Sequence, residues 1–186
     1  MAASSPTITL ILGGGVGGIT LARHLRHLLP ATTEHRIVLI EQKTTFSIGA
    51  TNLWIALGEY RSKDVTVRVS DLVPEGVDLL HTSVTKIDLQ TGEACFPGGT
   101  VRGDYLAIAL GAATSFSSIP GLEAAAHSFY TQSEAKRLRQ TLRRFSGGDV
   151  AMSSHELHTN ALLLLMSALS DSTIISAGKA LETRFG

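Results

Sequence analysis

Three features of the sequence predict an α/β fold, Rossmann-like with an antiparallel β insertion. Thr7 to Leu12 is a run of apolar and β-branched residues that passes straight into Gly13-Gly14-Gly15-Val16-Gly17-Gly18, with a helical pattern behind it from Ile19 to Leu29. Arg36 to Glu41 is a second apolar run, and it ends in an acid. Between Val77 and Gly111 lie three strand-like segments with turn residues between them. Strand, G-x-G-x-x-G and helix in that order form the phosphate-cradling turn of a Rossmann-like βαβ unit, which holds a dinucleotide.

Each residue of that turn has a physical role. Gly13 permits the sharp exit from the strand. Gly15 presents no side chain to hold a pyrophosphate off the backbone, and Gly18 lets the helix pack close to the sheet. Val16 and Gly17 complete the turn, where free N–H groups and the positive end of the helix dipole face the phosphates. Glu41 lies roughly 20 residues beyond Gly18, the spacing of the acid that takes the ribose hydroxyls. Its charge would repel a 2′-phosphate, which argues against NADP at this site. A lone glycine motif also fits a turn with no ligand; the flanking strand, the helix and the acid favour the nucleotide.

The first helix carries Leu21, Leu25, Leu28 and Leu29 at helical spacing, with Arg23, His24, Arg26 and His27 on other faces, and Pro30 stops it. Phe46 to Tyr60 is expected to hold a helix capped by Thr51 or Asn52, with Trp54 and Leu57 as its buried positions. Trp54 stacking on a cofactor ring is a minority alternative. Asp71 to Gly76 reads as a turn. Val77 to Leu89, Glu93 to Phe96 and Thr100 to Gly111 then read as an antiparallel insertion, where a plain NAD dehydrogenase would place a third βα unit.

Composition narrows the function. The chain has 186 residues, 44% of them hydrophobic, enough for one domain or one and a fraction. Its 16 basic and 16 acidic residues balance, so no nucleic-acid surface is implied. The single cysteine, Cys95, excludes an internal disulfide and a multi-cysteine metal cluster; in the strand EACF it is expected to be buried and inert. The start MAASSP lacks the basic region of a signal peptide, and the most apolar run, Ala161 to Leu169, is too short to span a bilayer. The expectation is a soluble, cytoplasmic protein with no transmembrane segment. His155 and His158, in HELH, lack zinc-site spacing and read as incidental.

GGGVGG, an acid ending the second strand, VTKIDLQTG, and DYLAIALGA followed by Ile119-Pro120-Gly121 together resemble the two-dinucleotide-binding flavoproteins, which include the pyridine-nucleotide disulfide oxidoreductases. The pattern is most similar to sulfide:quinone oxidoreductases and to the flavoprotein subunit of flavocytochrome c sulfide dehydrogenase, over Thr7 to Ala151. The resemblance implies FAD at the first site. Gly13, Gly15 and Gly18, with Val16 and Gly17, would receive the pyrophosphate, and Glu41 and Gln42 the adenosine ribose. Ser83 and Val84 would lie where a strand passes the adenine, an ordinary strand being the plain alternative. Gly111 would close the segment that relatives write A-T-G; here Ala109-Leu110-Gly111 lacks the hydroxyl. In the family a cysteine thiolate engages a sulfur substrate, the flavin carries two electrons, and a quinone or cytochrome accepts them. No catalytic or metal-binding residue is assigned to this chain, since Cys95 is far from the position of the family's redox cysteine.

The same resemblance divides the chain into an FAD-binding part, 1–130, a connector helix with the start of a second nucleotide-binding domain, 131–151, and an aberrant tail, 152–186. Thr131 to Phe145 would be the connector helix, ended by Gly147-Gly148, with Asp149 to Ala151 opening a strand. From Met152 onward no strand and no motif is read, and the leucine run is expected to be helical at most. Codons permitted for Met152 to Leu169 can be chosen so that the shifted frame encodes VIPRAPYKCPPAPYECA, which resembles the family segment CPP-x-PYE around the redox cysteine. The tail is therefore expected to be out of frame and the chain truncated, poorly soluble and inactive. Two other readings stay open: an NAD-binding module of a dehydrogenase or regulator, and a non-catalytic interaction protein docking through its leucine-rich tail.

Overall fold

The computed structural model describes residues 5–29, 34–116, 121, 124, 126–147, 149–154 and 162–167, the last two segments as backbone. Pro30, Ile119 and Pro120, Gly148, His155 and His158 lie outside the described residues. The chain divides into two compact units, Met1–Ser47 with Thr66–Gly111 and Ile48–Val65 with Ala112–Gly186.

Along the first unit run β1 (Thr7–Leu12), α1 (Val16–Leu28), β2 (His35–Ile40), β3 (Thr45–Phe46), β4 (Val67–Arg68), β5 (Val77–Leu80), β6 (Lys86–Asp88), β7 (Glu93–Phe96), β8 (Gly99–Arg102) and β9 (Tyr105–Ile108). Four strands form a parallel sheet in the order β5-β2-β1-β9. Side chains alternate across it. Leu10, Leu12, Val38 and Ile40 enter one cluster with Ala94 of β7, and Ile11, Ile37 and Leu39 enter another with Ile19 and Ala22 of α1. Because both faces are covered, β1 and β2 read as unbroken apolar runs, as buried parallel strands do. Each such Leu or Ile contributes about 1.5–3 kcal/mol by leaving water.

Two of the three segments expected to be antiparallel split between sheets. Val77 to Leu80 joins the parallel sheet beside β2, and Tyr105 to Ile108 joins it beside β1. Only β6, β7 and β8 form the antiparallel layer. The third parallel strand is therefore present. The chain changes sheets at Gly103, whose N–H donates to the Gly92 carbonyl while the next residue, Asp104, donates its N–H to the Ile8 carbonyl. Residues 81–85 are irregular, so Ser83 and Val84 are not in a strand.

The second unit contains α2 (Thr51–Leu57), β10 (Ala126–Ser128), α3 (Gln132–Arg144), β11 (Asp149–Ser154) and β12 (Leu162–Ser167). Ile55, Ala56, Ala135 and Leu138 pack together with Phe129. In α2 the expected cap and buried positions are both corrected. Its N-cap is Ala50, with no side-chain cap; the Thr51 hydroxyl donates to the Ile48 carbonyl, and Asn52 Nδ2 donates to the Tyr130 carbonyl at 2.7 Å. Trp54 and Leu57 are 47% and 57% exposed, whereas Asn52, Ile55 and Ala56 are buried. The helix begins only at Thr51, and its i, i+3, i+4 face of Asn52, Ile55 and Ala56 is the one turned to α3. α3 lies where the connector helix is expected; Thr131 is its N-cap, and Glu134 returns a bond to the Thr131 N–H, a reciprocal capping box. The leucine run is also corrected. Leu162 to Ser167 is a strand lying between β10 and β11, both antiparallel to it. A short apolar run carries no periodicity that separates strand from helix.

Candidate functional site

The expected site residues gather where the strands of the parallel sheet end. β1 stops at Leu12, and Gly13 turns the chain with φ +101°, a left-handed conformation that glycine adopts without strain. A Cβ at Gly13 would collide with the Ala109 carbonyl at the end of β9, and one at Gly18 would collide with the Gly13 carbonyl. Gly15 differs: nothing lies within 4 Å of where its Cβ would stand. Gly13 and Gly18 thus hold the turn tight against the protein, while Gly15 opens outward. Gly15 is also the N-cap of α1, with no side-chain cap and no acid in the first turn. The first-turn N–H groups and the positive dipole end are left for an outside anion. Val16, 61% exposed, opens the helix, and Gly17 would meet only the Ala109 side chain, at 3.8 Å.

Glu41 follows β2 directly and reaches back to this turn. The Gly14 N–H donates to Glu41 Oε2 at 2.6 Å, and the Lys43 N–H donates to Oε1 at 2.7 Å. Both carboxylate oxygens are engaged by backbone, which fixes the acid beside the glycines. Gly14 belongs to this arrangement although the motif spacing did not single it out: a Cβ there would stand 2.9 Å from the Glu41 side chain. The triple glycine, where the motif needs only the first and third, was the signal available. Lys43 contributes only backbone, which no side-chain pattern reveals.

The remaining residues divide. The Ser83 hydroxyl donates to Gln42 Oε1 at 3.2 Å, which ties the irregular segment after β5 to the end of β2. Val84 packs its side chain against the Leu10, Leu12, Val38 and Ile40 cluster, so only its backbone faces outward chemistry. Gly111, φ +78°, follows the Ala109 N–H that donates to the Leu12 carbonyl at 2.7 Å, and Leu110 is exposed. Cys95 is half-buried in β7 opposite Lys86 and Thr100, less enclosed than expected. Trp54 packs in tilted contact with Tyr60, ring centroids 6.3 Å apart, in the second unit. Among the described residues no cluster of His, Cys, Asp and Glu could hold a metal, and no helix is long and apolar enough to cross a membrane.

A backbone turn with a side-chain-free opening at an uncapped helix N-terminus, next to a fixed carboxylate, fits the pyrophosphate and ribose of a dinucleotide. Comparison with known proteins points the same way. Residues 8–162 match the family described as pyridine nucleotide-disulphide oxidoreductase, a match that runs beyond Ala151. A sulfide-quinone reductase of Aquifex aeolicus is 30% identical over 104 residues, covering 55% of this chain and 24% of that protein. The demethylphylloquinone reductase NdbB of Synechocystis is 30% identical over 146 residues, 75% of this chain and 36% of that protein. An alternative NAD(P)H-ubiquinone oxidoreductase of Arabidopsis thaliana is 29% identical over 150 residues, 72% of this chain and 29% of that protein. The crystal structure of the Aquifex aeolicus sulfide:quinone oxidoreductase superposes with a TM-score of 0.67 at 27% identity, over 74% of this chain and 32% of that one. The chain spans about a quarter to a third of the length of these relatives. It belongs to the pyridine nucleotide-disulphide oxidoreductase family.

Proposed function

We propose that this chain binds FAD at the glycine turn and is the adenosine-binding part of an oxidoreductase that oxidises a sulfide or thiol and reduces a quinone. The observation that carries the reading is Gly15, open to space at the uncapped start of α1 while its neighbours Gly13 and Gly18 have no room at all. The named substrates of the similar proteins, sulfide and quinones, support the reaction class.

In this reading, Gly13, Gly15, Val16, Gly17 and Gly18 offer backbone to the pyrophosphate. Glu41 accepts from the ribose hydroxyls while keeping the Gly14 and Lys43 N–H bonds. Gln42, Ser83 and the Val84 backbone border the adenine, and Gly111 borders the phosphates from the β9 side. FAD, when bound, supplies two-electron redox chemistry. The protein's part is to bind and orient it. A sulfur substrate also needs a thiolate close to the ring, and Cys95, in β7, does not occupy the family's CPP-x-PYE position. The chain is therefore proposed to be catalytically incomplete, with an out-of-frame segment after Ala151.

A second reading, NAD at the same turn, is favoured by the pyridine-nucleotide specificity in the name of the Arabidopsis relative. Titration of the purified chain with FAD and with NAD separates the two, since only FAD brings the visible flavin band. Gly15→Val should abolish FAD binding while leaving the melting temperature nearly unchanged, because its side chain would enter open space. Glu41→Ala should weaken binding by about 1.5–3 kcal/mol, the range for a hydrogen bond to a charged group. Undiminished FAD affinity in Gly15→Val would overturn the site. Sulfide-dependent quinone reduction by the chain as it stands would overturn its incompleteness; the genomic DNA around codon 152 tests the frame directly.

A further inference from the structure

The last turn of α3 and the residues just after it lie outside the nucleotide site. They read Arg143-Arg144-Phe145-Ser146-Gly147-Gly148 and hold the chain's one pair of adjacent arginines. α3 ends at Arg144, and its C-cap, Phe145, is already extended, with φ −72° and ψ 115°. Ser146 follows, exposed and in no helix or strand. Its hydroxyl has no hydrogen-bond partner among the described residues. Next comes Gly147, with φ +124° and nothing within 4 Å of where a Cβ would stand, so the hydroxyl is uncrowded on that side too. Thr141, one turn earlier, is the contrast: it is half-buried, and its hydroxyl donates to the Arg137 carbonyl at 3.3 Å.

Arg143 and Arg144 stand three and two residues before Ser146. Both are exposed, and neither has a carboxylate partner among the described residues. Two unpaired guanidinium groups at fixed short spacing from a free hydroxyl suit a groove lined with carboxylates, each of which takes an arginine through paired N–H donors. Charge patterns of this kind are how protein kinases tell one substrate from another. A kinase groove takes its substrate extended, and residues 145–147 have left the helix already. Only Arg143 and Arg144 must follow, and helix ends open at small cost.

We propose that Ser146 is a phosphorylation site for a serine/threonine protein kinase with an acidic substrate groove. The Ser146 Oγ forms a bond to the γ-phosphorus of a nucleoside triphosphate, and the bond from that phosphorus to the bridging oxygen breaks. Nucleoside diphosphate leaves, and the hydroxyl proton passes to the kinase's general base. The phosphate brings about −1.5 to −2 charges, which offset the two arginines just before the glycines that lead into β11. The site is independent of which nucleotide the glycine turn holds.

The full chain is incubated with ATP and the catalytic subunit of cyclic-AMP-dependent protein kinase as the basophilic probe, and separately with an acidophilic casein kinase. Peptide mass spectrometry locates the phosphate. One phosphate at Ser146 is expected from the basophilic kinase and none there from the acidophilic one. Ser146→Ala should abolish that incorporation. Replacing Arg143 and Arg144 together by Gln should slow it at least tenfold, because charge-assisted pairs with the groove are lost. Replacing both by Lys should slow it less, since the charge stays and only the fork is removed. Variants are compared at equal helix content by circular dichroism, which separates lost recognition from lost fold. Absence of phosphate at Ser146 overturns the proposal, as does phosphate at Thr141 in its place. So do equal modification by the two kinases and an undiminished rate in the double Gln variant.

Discussion

The two compact units of this chain build their cores by opposite means. In the first, β1 and β2 are sealed on both faces, and Leu10, Ile11, Leu12 and Leu39 have no exposure at all. Its candidate site consists largely of missing side chains, at Gly13, Gly14, Gly15 and Gly18. In the second, two short helices share a small apolar seam, Ile55 and Ala56 against Ala135 and Leu138, and the outer side of α3 is densely cationic. The difference teaches where function can be written. A rigid parallel sheet allows backbone to be presented at its strand ends, whereas a thin helical layer turns long charged side chains outward.

The strongest way to break the comparison is to add atoms to the first unit. Gly13→Val combines a positive φ with a collision at the Ala109 carbonyl, and should cost about 3–5 kcal/mol. Denaturant unfolding with hydrogen exchange at β1 and β2 measures it. A loss under 1 kcal/mol would mean that the turn is not held by close packing. In the second unit the vulnerable change is a deletion instead. Leu138→Ala, at a position 2% exposed, should cost about 3 kcal/mol through lost burial and an incompletely filled cavity. Protection of α2 amides should fall together with that of α3.

The capping box sharpens the contrast further, since it is a side-chain device. Thr131→Ala removes the oxygen that accepts the Glu134 N–H, and a loss of about 1 kcal/mol is expected by chemical denaturation. The smallest effect lies in the antiparallel layer. The N–H groups of Thr91 and Gln90 donate to Asp88 at the turn between β6 and β7, and they hold its carboxyl below the ordinary range. Because the folded-state value is the lower one, this support is complete above the unfolded-state pKa and is lost as pH falls through the folded one. Amide exchange in β6 and β7 should rise at that acid edge, and Asp88→Asn should remove the pH dependence.

How much of this was legible follows from the range of the forces involved. The glycine turn, β1, β2 and the place of Glu41 after β2 were readable because each depends on neighbours in sequence. The transfer of Val77 to Leu80 into the parallel sheet was not, because its partner is β2, some 40 residues away. Trp54 and Leu57 were misplaced because apolar character ranks them above Asn52 and Ala56. The face that meets α3 is instead Asn52, Ile55 and Ala56, with Asn52 bonded to the Tyr130 carbonyl. The Leu162 strand escaped notice for want of periodicity.

The grip of Glu41 on the Gly14 and Lys43 N–H groups has a consequence for anyone redesigning this protein. In many nucleotide-binding turns the acid after the second strand is the natural place to exchange one cofactor for another, by substituting a residue that welcomes a 2′-phosphate. Here the same carboxylate is a brace of the loop. On the proposed reading, in which Glu41 also takes the ribose, selectivity and rigidity cannot be tuned separately at position 41. A cofactor swap there will need a compensating donor or acceptor near Gly14, or it will yield a turn that accepts the new ligand but no longer holds its shape.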